Sequence, residues 1–262
     1  MSWERELHTL KDAIRNAGVE AARLSAEGFD IRTKADESPV TSADLAVNAI
    51  LHERLLSAFP EDGWLSEESP DSAARLDKRR VWIIDPIDGT KAFIRKEPEY
   101  CVSVALVEEG RPIVAAIYNP STDELFTAVR GGGLRLNDEP IHANGRPADA
   151  RPVIAVSPWE QHLGRFKTIE PHAASRPMRS IAWALALLAG GRLHAVATFE
   201  PENEWDVAAG ALLIEEAGGT LQDGAWHTLG FNRPEPRYRG IIAVSRHCPP
   251  SVARQLRALS PA

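Results

Sequence analysis

The sequence predicts an α+β protein built in two halves, and three observations predict it. Apolar residues recur at spacings of three and four near the N-terminus, short β-branched segments punctuated by Gly, Pro and Asp follow, and strand-like and helix-like segments alternate from about residue 151 onward. With 262 residues, 44% of them hydrophobic, the chain can bury the core of one large folded unit or two modest ones.

Leu7, Leu10, Ile14, Ala17, Ala21 and Leu24 predict an amphipathic helix over 3–27 that Gly28 ends. "TSADLAVNAILHERLLSAF", residues 41–59, predicts a second, with Leu45, Ile50, Leu51 and Leu55 on its apolar stripe, Thr41 or Ser42 as N-cap and Pro60 beyond its end. "RVWIID", "CVSVALVEE", "PIVAAIYNP" and "ELFTAVRGGG" then suit a meandering antiparallel sheet with hairpins at Glu109-Gly110 and Gly131-Gly133. Beyond residue 151, "PVIAVS", "LHAVATF" and "GIIAVS" read as strands, and "SIAWALALLAGG" and "DVAAGALLIEEAGG" as helices, a pattern of βαβ units before a helical tail. The division falls near "NGRPADARP", residues 144–152, and separates an N-terminal half, residues 1–148, from a C-terminal half, residues 149–262. No internal repeat, heptad array or low-complexity segment interrupts either half.

The charge balance excludes two classes of partner. A formal net charge of −7, with no Lys/Arg run longer than Lys78-Arg79-Arg80, argues against a nucleic-acid polymer or an anionic membrane surface. An anionic substrate therefore needs a local cation. Cys101 and Cys248 form no CxxC and fit a reducing, cytoplasmic setting. "SWERELHTLKDAIRNA" is charged and helix-patterned where a secretory leader would be apolar, and no apolar run approaches the roughly 20 residues that span a bilayer.

"WIIDPIDGTKAF", residues 82–93, runs a buried strand into two aspartates three apart. Carboxylates crowded on one rigid turn raise each other's pKa unless a cation sits between them. Mg²⁺ meets that need, because it takes oxygen ligands and keeps room for water and phosphate. Asp85, Asp88 and the Ile87 carbonyl offer such oxygens. The same run also fits a plain tight turn, since Asp-Pro starts turns and Asp-Gly ends them. Glu67 and Glu68 in "GWLSEES" equally fit solvated surface glutamates, and Asp206 in "ENEWDVAAGALL" equally fits a helix cap.

"GWLSEES", "WIIDPIDGTKAF" and "EWDVAAG" together resemble, in order and spacing, the motifs of the inositol monophosphatase superfamily of Mg²⁺-dependent, lithium-sensitive phosphatases. The resemblance covers nearly the whole chain, and "KADESPVTSAD" adds Lys34, Pro39, Val40, Thr41 and Asp44 to it. It implies a layered αβαβα sandwich, a homodimer, and two or three Mg²⁺ ions held by Glu67, Asp85, the Ile87 carbonyl, Asp88 and Asp206. The N-terminal half would then carry most ligands, and the C-terminal half would complete the site. The resemblance also implies hydrolysis by a metal-activated water, with Glu67, Thr90 and the Asp44 region as catalytic groups. Gly89, Thr90, Lys91 and Asp206 would bind substrate. Physical reasons stand beside these roles: Gly89 lets the backbone approach a phosphate, amides at a helix start favour an anion, and the Thr90 hydroxyl can orient water. For Asp44 a structural alternative stays open, because Thr41-Ser42-Ala43-Asp44 has the form of a capping box.

The phosphate ester is read from residues outside the metal shell. "DGTKAF", with Lys91 after the threonine, resembles the bisphosphate nucleotidase and histidinol-phosphate branches, and Glu204-Trp205 before Asp206 resembles the nucleotidase version. Two features depart from that branch. "VSPWEQH", residues 156–162, stands where bacterial nucleotidases carry a Ser-Arg-Ser-like segment, and "SIAWALALLAGG" lacks a lysine near its start. Ser157, His162 and Arg179 are candidate substrate contacts, and Trp159 either stacks on an adenine or, like Trp183, is a core or interface aromatic. Eight histidines without HxH or HExxH spacing argue against a zinc hydrolase. The expected substrate is a 3′(2′),5′-bisphosphate nucleotide. Inositol 1-phosphate and histidinol phosphate stand behind it, a sugar bisphosphate behind those, and a non-catalytic phosphate-binding protein is the alternative outside enzymes.

Overall fold

The computed structural model describes residues 3–35, 37–141 and 151–259. Five layers stack as helix, sheet, helix, sheet, helix, the αβαβα sandwich expected, and three apolar cores fill the spaces between them.

The first layer is α1 (Glu4–Glu27) and α2 (Ser42–Ala58), joined through a two-stranded ribbon of β1 (Ile31–Thr33) and β2 (Pro39–Thr41). In α1 the expected stripe is buried through Leu10, Ile14, Ala17 and Ala21. In α2 it is rotated from the expectation: Ala43, Val47, Leu51 and Leu55 face inward, while Leu45 is 43% exposed. The cause is the cap. Thr41 and Asp44 form the capping box, which turns Asp44 into the protein and carries Leu45, one residue and about 100° further on, to the outside.

The second layer is a seven-stranded sheet in chain order: β3 (Gly63–Ser66), β4 (Arg80–Asp88), β5 (Cys101–Glu108), β6 (Arg111–Asn119), β7 (Glu124–Val129), β8 (Leu134–Leu136) and β9 (Glu139–Pro140). Among the described residues, only β3 and β4 of this sheet run parallel. Both faces of the sheet are covered, which is why β4 is apolar without alternation: Trp82 and Ile84 pack toward α1 and α2, Val81 and Ile83 toward the middle layer. The β5–β6 hairpin turns at Glu109 and Gly110, both with positive φ, the two-residue turn that matches strand twist. After β4 comes α3 (Thr90–Ile94), a single turn.

The rest of the chain supplies β10 (Val153–Val156), α4 (Pro158–His162), β11 (Ala174–Pro177), α5 (Ile181–Ala189), β12 (Ala195–Asn203), α6 (Glu204–Glu216), β13 (Thr220–Asp223), β14 (Arg237–Val244) and α7 (Pro250–Leu259). The βαβ expectation holds for β10, α5 and β12, whose strands pair parallel; β11, a strand not read from the sequence, adds parallel on the other side of β10, and β14 enters antiparallel between β12 and β13, so the sheet is mixed, in the order β11-β10-β12-β14-β13. Helices α5 and α6 lie between the two sheets. Their core joins Ile83 and Phe126 of one sheet to Val196 and Ile241 of the other. The expected junction at 144–152 falls mostly at 142–150, outside the described residues.

Candidate active site

The site grows from one register and one bulge in β4. Because β3 pairs parallel with β4, Ser66 beside Ile84, the next residues, Glu67 just past the end of β3 and Asp85 still within β4, run on side by side in the same direction. The Glu67 N–H donates to the Ile84 carbonyl at 3.2 Å and secures that exit. Against β5, Asp85 faces Ser103 and Asp88 faces Cys101, so β4 spends three steps where β5 spends two. In a regular strand, residues three apart point to opposite faces, and the extra residue of the bulge brings Asp88 round to the side of Asp85. Pro86 sits in that bulge, where its missing N–H leaves no ladder bond broken.

The middle-layer helices aim their N-termini at these carboxylates. Ser180, the N-cap of α5, donates to Asp88 Oδ2 at 2.6 Å, and the Ala182 N–H donates to the same oxygen at 2.5 Å. Helix α6 is docked on β5 through Ser103, whose hydroxyl donates to the Trp205 carbonyl at 3.3 Å. Asp206 lies in the first turn of α6, where its Oδ2 accepts from the Asn203 N–H at 2.7 Å. The helix ends contribute partial positive charge to this acidic centre. Asp85, Asp88 and Asp206 each place a carboxylate oxygen within 4.8 Å of the others.

That crowding is electrostatically expensive in the protein alone. Burial, then the charges of Glu67, Asp88 and Asp206, pushes the Asp85 carboxyl well above the usual range. Burial does the same to Asp206, with Asp88 and Glu67 adding to it. Burial lifts Asp88 to about 6, against the donations from Ser180 and Ala182 that hold it down. Asp85 Oδ1 is buried and finds no hydrogen-bond partner among the described residues. An orphaned buried oxygen beside two further carboxylates is a donor set suited to a hard divalent cation.

Around this centre the remaining expected residues converge. Glu67, Ile87, Gly89, Thr90, Lys91, Ser157 and Arg179 line one open cleft of about 540 Å³ with the three aspartates. Lys34 reaches across from the β1–β2 ribbon to both Glu67, at 2.8 Å, and Glu68, at 2.5 Å. Thr90 Oγ1 lies 3.1 Å from the Ile87 carbonyl and 3.2 Å from Asp44 Oδ1. The other oxygen of Asp44 accepts from the Thr41 N–H and hydroxyl, so the capping box is formed and a free edge of the same carboxylate still meets Thr90. Burial raises the Asp44 carboxyl, and the Glu67 charge adds to that. Gly89 has φ +93°, and a Cβ there would stand 2.7 Å from the Glu99 carbonyl oxygen, so the turn into α3 requires glycine. With only five residues, α3 offers its first amides rather than a long dipole.

Some expectations separate. His162 is not in the cleft wall; its ring stacks on Trp159 at 6.1 Å. Trp183 is a core residue, packed edge-on against Phe126, whereas Trp159 is 60% exposed in the wall of the cleft. Glu204 does not face the substrate side: fully buried, it accepts from the Asn232 and Arg233 N–H groups at 2.6 and 3.0 Å and pins the loop before β14. Ser180 and Glu202 were not identified from sequence. Glu202 lines the cleft and is pushed well up by burial and by Asp206 and Asp88. Ser180 carried a cap signal, a serine before an apolar helix, but nothing in the sequence connects it to Asp88.

Comparison with known proteins gives a consistent result. The model of the inositol monophosphatase family matches residues 3–258. An inositol-1-monophosphatase of Rhizobium meliloti is 35% identical over 265 residues, covering 96% of this chain and 94% of the relative. The 3′(2′),5′-bisphosphate nucleotidase CysQ of Escherichia coli strain K12 is 31% identical over 226 residues, covering 84% and 92%. Among solved structures, the extragenic suppressor protein suhB from Bartonella henselae superimposes with a TM-score of 0.85 at 29% identity, covering 99% of this chain and 100% of that one.

Proposed function

Since the chain belongs to the inositol monophosphatase family, and with it to the enzymes that hydrolyse phosphate monoesters, we propose that it is a Mg²⁺-dependent phosphatase of a small phosphorylated metabolite, with a 3′(2′),5′-bisphosphate nucleotide as its leading substrate. The observation that carries the metal reading is the convergence of Asp85, Asp88 and Asp206 around the unpartnered Asp85 Oδ1. Glu67, Asp85, Asp88, Asp206 and the Ile87 carbonyl would hold two or three ions. Bound Mg²⁺ supplies neutralising charge to the phosphate oxygens and lowers the pKa of water.

The chain's own groups do the rest. Lys34 holds Glu67 toward the cleft. Thr90 can donate to Asp44 and accept a hydrogen from the attacking water, which orients a lone pair toward phosphorus, and Asp44 then takes up proton density through that hydroxyl. The amides of Gly89 and Thr90 receive phosphate oxygens. Lys91 and Arg179, exposed in the cleft wall, offer positive charge to a second phosphate, and this favours the nucleotide over inositol 1-phosphate or histidinol phosphate. In this reading residues 1–148 and 149–262 act as one unit, because Ser180 and Asp206 come from the C-terminal half. A homodimer in the cytoplasm is included in the proposal, and sedimentation velocity tests the dimer.

The test is phosphate release in Mg²⁺, with and without Li⁺, from adenosine 3′,5′-bisphosphate, inositol 1-phosphate and histidinol phosphate. Strong preference for the nucleotide with lithium inhibition is the expected result. Preference for another ester overturns the substrate choice, and no release from any of them, with Mg²⁺ binding established, overturns turnover itself.

A further inference from the structure

Trp159 is large, apolar and 60% exposed, while Trp82 and Trp183 are 0% and 4% exposed. It stands in the wall of the same cleft as Asp85, Asp88 and Asp206. The helix that presents it is firmly fixed. Pro158 opens α4, and Ser157 caps it by accepting the Glu160 N–H at 3.1 Å. On the underside Glu160 is fully buried, accepting from the Phe199 N–H at 2.9 Å and from Arg165 at 2.7 Å, which anchors α4 to β12. His162 packs beside the indole with their planes 28° apart. The cleft wall also carries apolar Met178 and Ile181, and cationic Arg179 and Lys91, with the Arg179 Nε donating to Glu97 at 3.1 Å.

A rigid indole exposed at the side of an acidic metal-type centre is an expensive surface for a polyol, which needs hydrogen-bonding groups, and a favourable one for a flat heteroaromatic ring. We infer that Trp159 is the specificity-determining platform of this site, stacking the base of a nucleoside whose ester phosphate lies at Asp85, Asp88 and Asp206 and whose second phosphate lies toward Lys91 and Arg179. This inference rests on the phosphatase reading above and deepens it.

The test compares wild type, Trp159→Phe and Trp159→Ala in Mg²⁺ on adenosine 3′,5′-bisphosphate and on glycerol 2-phosphate, an ester without a ring. Base stacking on an aromatic side chain predicts that Trp159→Ala raises KM for the nucleotide roughly tenfold to hundredfold, and that Trp159→Phe recovers most of it. For glycerol 2-phosphate, kcat/KM should fall by less than about threefold. Calorimetric binding of adenosine 5′-phosphate, which needs no turnover, should weaken in Trp159→Ala by a similar factor. Equal losses on both esters, or wild-type binding of adenosine 5′-phosphate by Trp159→Ala, overturn the inference. So does a wild-type dimer that Trp159→Ala dissociates in sedimentation, which would assign the indole to a second copy of the chain. If the wild type prefers the nucleotide while Trp159→Ala matches it, this inference fails and the substrate reading survives. If the wild type hydrolyses neither ester, the choice of a nucleotide substrate fails and the calorimetric comparison still decides Trp159.

Discussion

Ser180 Oγ lies 2.6 Å from Asp88 Oδ2, a contact between a helix cap and a strand bulge 92 positions apart in the chain. The same hydroxyl accepts from the Trp183 N–H at 3.0 Å, so one group both starts α5 and orients the carboxylate. Ser180→Ala should lose both functions. Losing a cap costs about 1 kcal/mol and losing a hydrogen bond to a charged group about 1.5–3 kcal/mol, so a stability loss of roughly 2.5–4 kcal/mol is expected in urea unfolding. Mg²⁺ affinity should weaken about tenfold, in the manner of groups that orient metal ligands. Ser180→Thr, which keeps the hydroxyl, should recover most of both. Wild-type Mg²⁺ affinity in the alanine variant would show the contact to be idle.

Asp85→Asn separates stability from activity. The substitution puts a neutral amide of the same volume where burial and like charges already oppose ionisation of the carboxyl, so the metal-free variant should melt at or above the wild-type temperature. Phosphatase activity should fall by at least about a hundredfold, because a charged ligand has been replaced by a neutral one. Wild-type turnover in this variant at limiting Mg²⁺ would remove Asp85 from the metal set.

How much of this was legible in the sequence follows from what each signal depends on. The helix 3–27 was readable because burial on one face writes a period into the chain, whereas the helix at 181–189 and the meander strands, buried on every side, were readable as apolar runs bounded by Gly, Pro and Asp. Leu45 misled, because the stripe of α2 is set by a capping interaction rather than by hydrophobicity alone. The carboxylates were readable as candidates since each stands at the end of an apolar segment, but their convergence depends on the Ser66–Ile84 register and on the bulge after Asp85. Ser180 and Glu202 depend on which helix packs where, and no local pattern encodes that. Glu204, read only as part of the likeness of the run before Asp206, has a structural task that no local pattern announces: its side chain accepts from the Asn232 and Arg233 N–H groups in the loop before β14.

The acidic centre predicts an unusual pH dependence. Asp88 titrates at about 6 in the folded protein and near 4 when unfolded, so the folded state holds the proton more tightly. Its contribution to metal-free stability is therefore present below pH 4 and is lost as pH rises through 6, by on the order of 3 kcal/mol from this group. Mg²⁺ should reverse the trend, since binding requires the carboxylates ionised and releases their protons. Melting temperatures in a chelator and in Mg²⁺ at pH 5, 6 and 7.5 should diverge as pH rises. A constant Mg²⁺ increment across that range would contradict a cation at this carboxylate.

Asp44 allows its structural and chemical roles to be taken apart. One oxygen caps α2 by accepting from the Thr41 N–H at 2.7 Å and its hydroxyl at 2.6 Å, and the other faces Thr90 Oγ1 at 3.2 Å. In Asp44→Asn the amide oxygen can keep the cap while the amide NH₂ meets Thr90, so unfolding free energy should change by less than about 1 kcal/mol. The hydroxyl of Thr90 then loses its acceptor and must turn to the Ile87 carbonyl, 3.1 Å away, which takes its proton off the path to Asp44. The kcat should fall about 10²-fold to 10⁴-fold, the range of a lost general base, with KM little changed. Asp44→Ala adds the loss of the cap and should unfold about 1 kcal/mol more easily than Asp44→Asn. Full activity in Asp44→Asn would leave the carboxylate as a cap alone.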